Sequence, residues 1–139
     1  MEIESLHHVA LTVTDLERSR RFYREVLGLE EIARPNFPFP GAWFQAGAGG
    51  QHIHLIVHTN PTFRGPEKGL DTRDVHFAVR VKSFRGALGF LRSLGYREDL
   101  DARDAMKMIV QEHATAGFPQ IYVMDPDRHV IEINAARPD

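Results

Sequence analysis

An α+β fold built from two copies of one β-α-β-β-β unit is what the sequence predicts, and three observations carry that reading. Apolar and polar residues alternate at residues 7–14 and again at 75–81, the period of a strand with one buried face. Each alternating stretch runs into a helix-capping residue and then an amphipathic stretch that stops at glycine. The two copies superpose at an offset of 68 residues across the first strand, the cap and the helix.

The first copy opens with Val9, Leu11 and Val13 on one face of a strand and His8, Ala10 and Thr12 on the other. Asp15 stands where an N-cap belongs, and Leu16, Ser19, Phe22, Tyr23, Val26 and Leu27 follow at helical spacing until Gly28 ends the run. Extended segments are predicted at about 29–33, 42–46 and 51–58. Between them lie two breakers, the proline-rich stretch 34–41 and Gly-Ala-Gly-Gly at 47–50.

In the second copy Val75, Phe77, Val79 and Val81 form the apolar face, with His76, Ala78 and Arg80 opposite. Ser83 caps a helix carrying Phe84, Ala87, Leu88, Leu91 and Leu94, ended by Gly95. His8, Asp15 and Phe22 match His76, Ser83 and Phe90 at an offset of 68, but Leu27-Gly28 matches Leu94-Gly95 at 67. Ile53-His54-Leu55 then matches Ile131-Glu132-Ile133 at 78, so the second copy carries about ten extra residues, expected within 101–118. There, 105–111 reads as strand or helix. A single domain over residues 1–139 follows, with one module at about 5–58, a linker at about 59–73 and a second module at about 74–136.

Composition narrows the function. Seventeen Lys and Arg against nineteen Asp and Glu give a net charge of −2, which offers no footprint for nucleic acid or anionic lipid. No apolar run approaches the roughly 20 residues that span a bilayer, and the first residues are acidic where a secretory signal is basic, which predicts a cytoplasmic address. With no cysteine, disulfides, thiolate nucleophiles and zinc fingers are excluded. Any metal must be held by histidine and carboxylate, and there are eight histidines. A small-molecule substrate is the expected partner.

Four polar residues share one topological address. His8 and His76 begin the first strand of each copy, His54 and Glu132 sit in the last, and all four occupy the polar face of their strands. If the two sheets curl toward one another, three imidazoles and one carboxylate converge, enough to hold a divalent cation with positions left for water or substrate. The alignment of the copies rests on apolar periodicity and caps, yet the polar residues superpose too. The other histidines read differently. Alternation turns His7 to the opposite face for packing or capping, and His52 shares the face of His54 as a supporting group. His58, His113 and His129 read as solvated. Trp43 and Phe44 either line a pocket or dimer seam or pack in the core, and Arg64 and Lys68 read as solvated loop charges or contacts for an anionic substrate.

The segments Leu6-His7-His8-Val9-Ala10-Leu11-Thr12-Val13, Asp15-Leu16-Glu17-Arg18-Ser19, Phe22-Tyr23, Leu27-Gly28-Leu29 and Asp125-Pro126-Asp127 with Ile131-Glu132-Ile133 together resemble the vicinal oxygen chelate superfamily of glyoxalases, bleomycin-resistance proteins and extradiol dioxygenases. The resemblance covers nearly the whole chain. It implies two βαβββ modules forming a cupped, barrel-like mixed sheet around a divalent metal (Zn, Ni, Mn, Fe or Co), and a homodimer. It also implies His8, His54, His76 and Glu132 as the metal-ligand positions, with Glu132 catalytic. Two positions depart from the pattern. His54 stands where glyoxalase I and methylmalonyl-CoA epimerase typically carry Glu or Gln, and Arg128 stands where the turn after Asp-Pro-Asp usually ends in glycine.

Such a site polarises a carbonyl or hydroxyl and stabilises the enolate left when a neighbouring proton is removed, with Glu132 as the base, which is lyase or isomerase chemistry. The same ligands, taken as two histidines and one carboxylate, suit an extradiol-type dioxygenase. Thiol opening of an epoxide antibiotic ranks lower, because nothing marks a phosphonate cage. A non-catalytic drug-binding module is the further alternative, disfavoured because such relatives lack the metal ligands.

Overall fold

The computed structural model describes residues 1–58, 65 and 67–139. It divides into two units, Met1–Phe63 and Arg64–Asp139. In the first, β1 (His8–Val13) leads into α1 (Leu16–Arg21), a single π-helical turn (Phe22–Val26), β2 (Glu30–Ile32), β3 (Gly41–Gln45) and β4 (His52–Val57). In the second, β5 (His76–Val81) leads into α2 (Phe84–Ser93), β6 (Ile109–Gln111), β7 (Gln120–Met124) and β8 (Val130–Ala135). The predicted β-α-β-β-β grammar is present in each.

Both sheets have the same plan. The first is ordered β1-β4-β3-β2 and the second β5-β8-β7-β6, with the first pair of each parallel and the rest antiparallel. Each unit is thus a four-stranded mixed sheet in which the last strand, β4 or β8, lies inside and is paired on both edges. The residues at 54 and 132 therefore have neighbours on two sides.

Alternation sorts the faces as the sequence predicts. Leu11, Val13, Ala42, Phe44, Ile53 and Leu55 are buried with Phe22 and Tyr23 of the first helix, and Ile121, Val123, Ile131 and Ile133 are buried along with Phe84, Leu88 and Leu91 of α2. Phe44 thus belongs to the core. Val75 does not, for it precedes β5 and is 85% exposed.

The predicted caps form. The Asp15 carboxylate accepts the Arg18 N–H at 3.0 Å, and the Ser83 hydroxyl accepts the Gly86 N–H at 2.8 Å. The slip in offset from 68 to 67 also has a structural cause. The first helix carries one more residue than the second before its glycine, and the π turn absorbs it, with the Leu27 N–H reaching back five residues to the Phe22 carbonyl. Gly28 and Gly95 then take positive φ, 66° and 99°, and end their helices.

The extra length of the second unit lies between Gly95 and β6, slightly earlier than expected. Residues 96–108 form aspartate-centred turns, in which Asp101 accepts from the Arg103 N–H and Asp104 from the Met106 N–H, and a bridge joins Arg97 to Lys107. Of 105–111, only Ile109–Gln111 is strand.

The turn from β7 to β8 fixes the register of the site. Asp125 Oδ1 accepts the N–H groups of Asp127 and His129, and Arg128 takes a left-handed φ of 68° where the family pattern has glycine. Its guanidinium donates to the Lys68 carbonyl at 3.1 Å. Replacing Arg128 with glycine is expected to leave stability within about 0.5 kcal/mol, because relief of left-handed strain offsets glycine's larger chain entropy, whereas Arg128→Val is expected to cost about 1–2 kcal/mol. Urea unfolding followed by circular dichroism reads both.

Candidate functional site

In the second unit, β8 brings Glu132 between β5 and β7, opposite Ala78 on one side and Tyr122 on the other. The Glu132 side chain is only 7% exposed, so its charge needs donors. It has them: the Tyr122 hydroxyl donates to Oε2 at 2.9 Å, the Asn134 amide donates to Oε1 at 2.6 Å, and Gln120 donates as well. Burial alone would raise the carboxyl's pKa. The hydrogen bonds from Asn134, Gln120 and Tyr122, with His76 nearby, outweigh it and hold the group below its ordinary value. Glu132 is therefore an anion at neutral pH. Tyr122 stays a donor, its hydroxyl pushed up to about 12 by burial and by the carboxylate it serves. Asn134 is itself oriented, since its Oδ1 accepts from Arg80 Nε at 3.0 Å.

His76 stands one step along the same face. Its Nδ1 lies 2.7 Å from the Asp74 carbonyl, which can only accept, so Nδ1 carries a proton and, in the neutral ring a metal would need, the lone pair falls on Nε2. That Nε2 is 3.5 Å from Glu132 Oε2. Two donors bound at about 2.1 Å to one ion, at 90–110° to each other, lie roughly 3.0–3.4 Å apart. The pair thus has the chemistry, tautomer and spacing that suit a divalent cation.

The first unit builds something different at the equivalent place. His54 on β4 faces Trp43 on β3, and their rings stack with centroids 4.1 Å apart and an interplanar angle of 6°. His8 on β1 stacks on the same imidazole at 4.2 Å and 15°. The His54 pKa falls to about 4, first through burial and then through His8, His52, His7 and Arg34 nearby. Its Nε2 is buried without a hydrogen-bond partner, as is Nδ1 of His52. A neutral imidazole with a buried, unpaired ring nitrogen is suited to a metal or a ligand hydrogen bond.

Each unit therefore brings together two of the four residues singled out by the sequence, His8 with His54 and His76 with Glu132. Among the described residues, neither unit by itself gathers three such groups around one point. His52 shares the His54 face as expected. His7 does not turn away: it precedes β1, where strand alternation does not apply, and its Nδ1 lies 2.9 Å from Nδ1 of His8. His129 is not solvated either, because its Nδ1 lies 2.8 Å from Asp125 Oδ2 within the β7–β8 turn. His58 and His113 are exposed. Lys68 pairs with Asp74 at 3.1 Å, and Arg64 lies outside the described residues.

Tyr122, Asn134 and Gln120 do not stand out as site groups in the sequence, and Trp43 reads there as pocket, seam or core alike. The signal for the aromatic pair was available. Tyr122 and Glu132 lie equally far from the centre of the Asp125–His129 turn, and Trp43 and His54 equally far from the centre of the turn at 46–51, so each hairpin presents an aromatic ring to its candidate ligand.

The depressed His54 value has a direction in pH. The fold accepts the neutral ring, so stability is intact above the unfolded histidine value near 6.5 and is lost as pH falls toward 4, as the unfolded imidazole takes up its proton first. In chelator-stripped protein, the His54 ring resonances should stay those of a neutral imidazole at pH 5.5, and His54→Gln should flatten the stability loss between pH 6.5 and 4.

Comparison with known proteins agrees with the fold. The chain is 29% identical over 135 residues to the Arabidopsis thaliana protein Glyoxylase I 4, spanning 96% of this chain and 71% of that one. A glyoxalase family protein from Bacillus anthracis superposes with a TM-score of 0.73 at 25% identity, covering 97% of both chains. The fosfomycin resistance protein FosX of Listeria monocytogenes, solved as a glutamate-to-glutamine mutant with Mn(II) and 1S,2S-dihydroxypropylphosphonic acid, superposes with a TM-score of 0.69 at 20% identity, covering 96% of this chain and 93% of that one. Residues 5–133 match the family model itself, and the chain belongs to the Glyoxalase/Bleomycin resistance protein/Dioxygenase superfamily.

Proposed function

We propose that the protein is a divalent-metal-dependent, glyoxalase-like enzyme, a lyase or isomerase that removes a proton beside a carbonyl or hydroxyl of a small chelating molecule. The observation that carries this reading is the His76–Glu132 pair, an imidazole oriented by the Asp74 carbonyl with its Nε2 3.5 Å from an ionised carboxylate. His8 is the proposed third ligand, by its equivalence to His76 in the duplicated plan, and His54 with its unpaired Nε2 the fourth. A second copy of the chain is the proposed partner, in a homodimer.

When bound, the ion would supply Lewis acidity to the substrate oxygen. The protein's own groups do the rest. Tyr122, Asn134 and Gln120 hold Glu132 in one orientation, and Arg80 holds Asn134. Those donors favour the carboxylate as an anionic ligand and make it a weak base at rest. Its proposed use in proton removal therefore requires that one donor be given up as substrate enters, which raises its basicity at the moment it acts.

The likeness to Glyoxylase I 4 supports a thiohemiacetal or related hydroxycarbonyl substrate over a catechol. Metal analysis of native protein purified without chelator should find about one divalent ion per chain. Glu132→Ala and His76→Ala should each lose roughly 10-fold or more in metal affinity and abolish turnover of a glutathione thiohemiacetal. Native protein free of stoichiometric metal would reject the reading. Metal-replete protein that consumes oxygen with catechols, and leaves thiohemiacetals alone, would replace it with a dioxygenase.

A further inference from the structure

Beside the His8–His54–Trp43 stack, the proline-rich stretch 34–41 builds an aromatic shelf that no residue of the proposed chemistry uses. Phe37 and Phe39 stack with centroids 5.2 Å apart, yet remain 40% and 38% exposed. Phe37 meets Trp43 at 6.0 Å, so the ring surface runs from solvent to the imidazole of His54 and on to His8. The prolines at 35, 38 and 40 restrict the backbone of this stretch, so the rings are held out with little chain entropy left to lose.

Arg34 lies over this shelf. Its guanidinium carbon is 4.7 Å from the centroid of Phe37 and 5.1 Å from that of Phe39, and its Nη2 donates to the Phe39 carbonyl at 2.9 Å. Among the described residues, no carboxylate pairs with it, although Arg20, Arg73, Arg92, Arg97 and Arg103 all have acidic partners. A half-buried cation stacked on two rings is a ready site for an anion that brings its own flat surface. On the same face His52 keeps a buried, unpartnered Nδ1, with its ring 6.3 Å from Trp43.

We infer that residues Arg34, Phe37, Phe39 and Trp43 form a binding site for an aromatic anion, a ring carrying a carboxylate or comparable acid, with the ring on the phenylalanines and tryptophan and the acid on Arg34. The inference deepens the proposed function, and rests on it for one step: the ring is the substrate's remote group and lies alongside the ligand His8. Stacking holds the ring, and the charge-assisted bond to Arg34 orients it.

Trp43 is the only tryptophan, so its indole N–H gives a single, assignable signal in a ¹H–¹⁵N spectrum. Full-length protein stripped of metal by chelator should be titrated with 1-naphthoate, 1-naphthalenemethanol and cyclohexanecarboxylate. The expected result is a saturable shift of the Trp43 indole signal with 1-naphthoate, and binding at least about fivefold weaker for the uncharged aromatic ring and for the non-aromatic acid. Arg34→Met should remove the preference for the acid, and Phe39→Leu the preference for the ring, each with the rest of the spectrum unchanged. No saturable shift with 1-naphthoate, equal binding of all three probes, or unaltered binding in both variants would overturn the inference. Because no metal is present, these outcomes are independent of whether His76 and Glu132 bind one.

Discussion

A carboxylate buried in the middle of a β-sheet is the constraint around which the second unit is arranged. Taking an ion of that kind out of water costs several kcal/mol unless its oxygens are hydrogen-bonded. Glu132 satisfies the condition with donors from two strands: Tyr122 and Gln120 from β7, and Asn134 from its own strand, itself held by Arg80 on β5. Four side chains from three strands are thereby committed to one acid. A core of similar volume made from leucine and valine would avoid that cost, so what the arrangement gains lies in the chemistry of the acid.

Duplication explains where this site is, and divergence explains what it does. The same sheet plan places His54 where the second unit has Glu132, and Trp43 where it has Tyr122. One hairpin presents a hydroxyl that hydrogen-bonds an anion, and the other presents an indole face that stacks on a neutral ring. The environments push the two titratable groups toward opposite ends of the electrostatic scale. Glu132 is kept charged by donors, while His54 is kept uncharged by burial and by neighbouring imidazoles.

Much of this was legible in the sequence because it depends on local rules. Strand alternation, the Asp15 and Ser83 caps and the glycine stops involve residues within one turn or strand of each other, and even the one-residue slip between the copies had a local cause in the π turn. The polar faces bearing His8, His54, His76 and Glu132 followed from the same period. What was not legible depends on ends and partners. Alternation does not extend past the start of β1 and so misplaces His7, and the contact of His129 with Asp125 belongs to the turn's three-dimensional closure. The donors around Glu132 required cross-strand register, and the Asp74 carbonyl that fixes the His76 tautomer precedes the strand that carries His76.

The central claim is that His76 Nε2 and Glu132 Oε2 are poised for one shared cation. Crystals of the full-length protein grown with Co(II), with anomalous data collected on both sides of the cobalt edge, test it most directly. The expected result is a difference peak bonded to both atoms at about 2.0–2.2 Å, with Tyr122 and Asn134 still on the carboxylate. Cobalt bound elsewhere, on the His7, His52 and His54 imidazoles with the His76–Glu132 pair left bare, would contradict it.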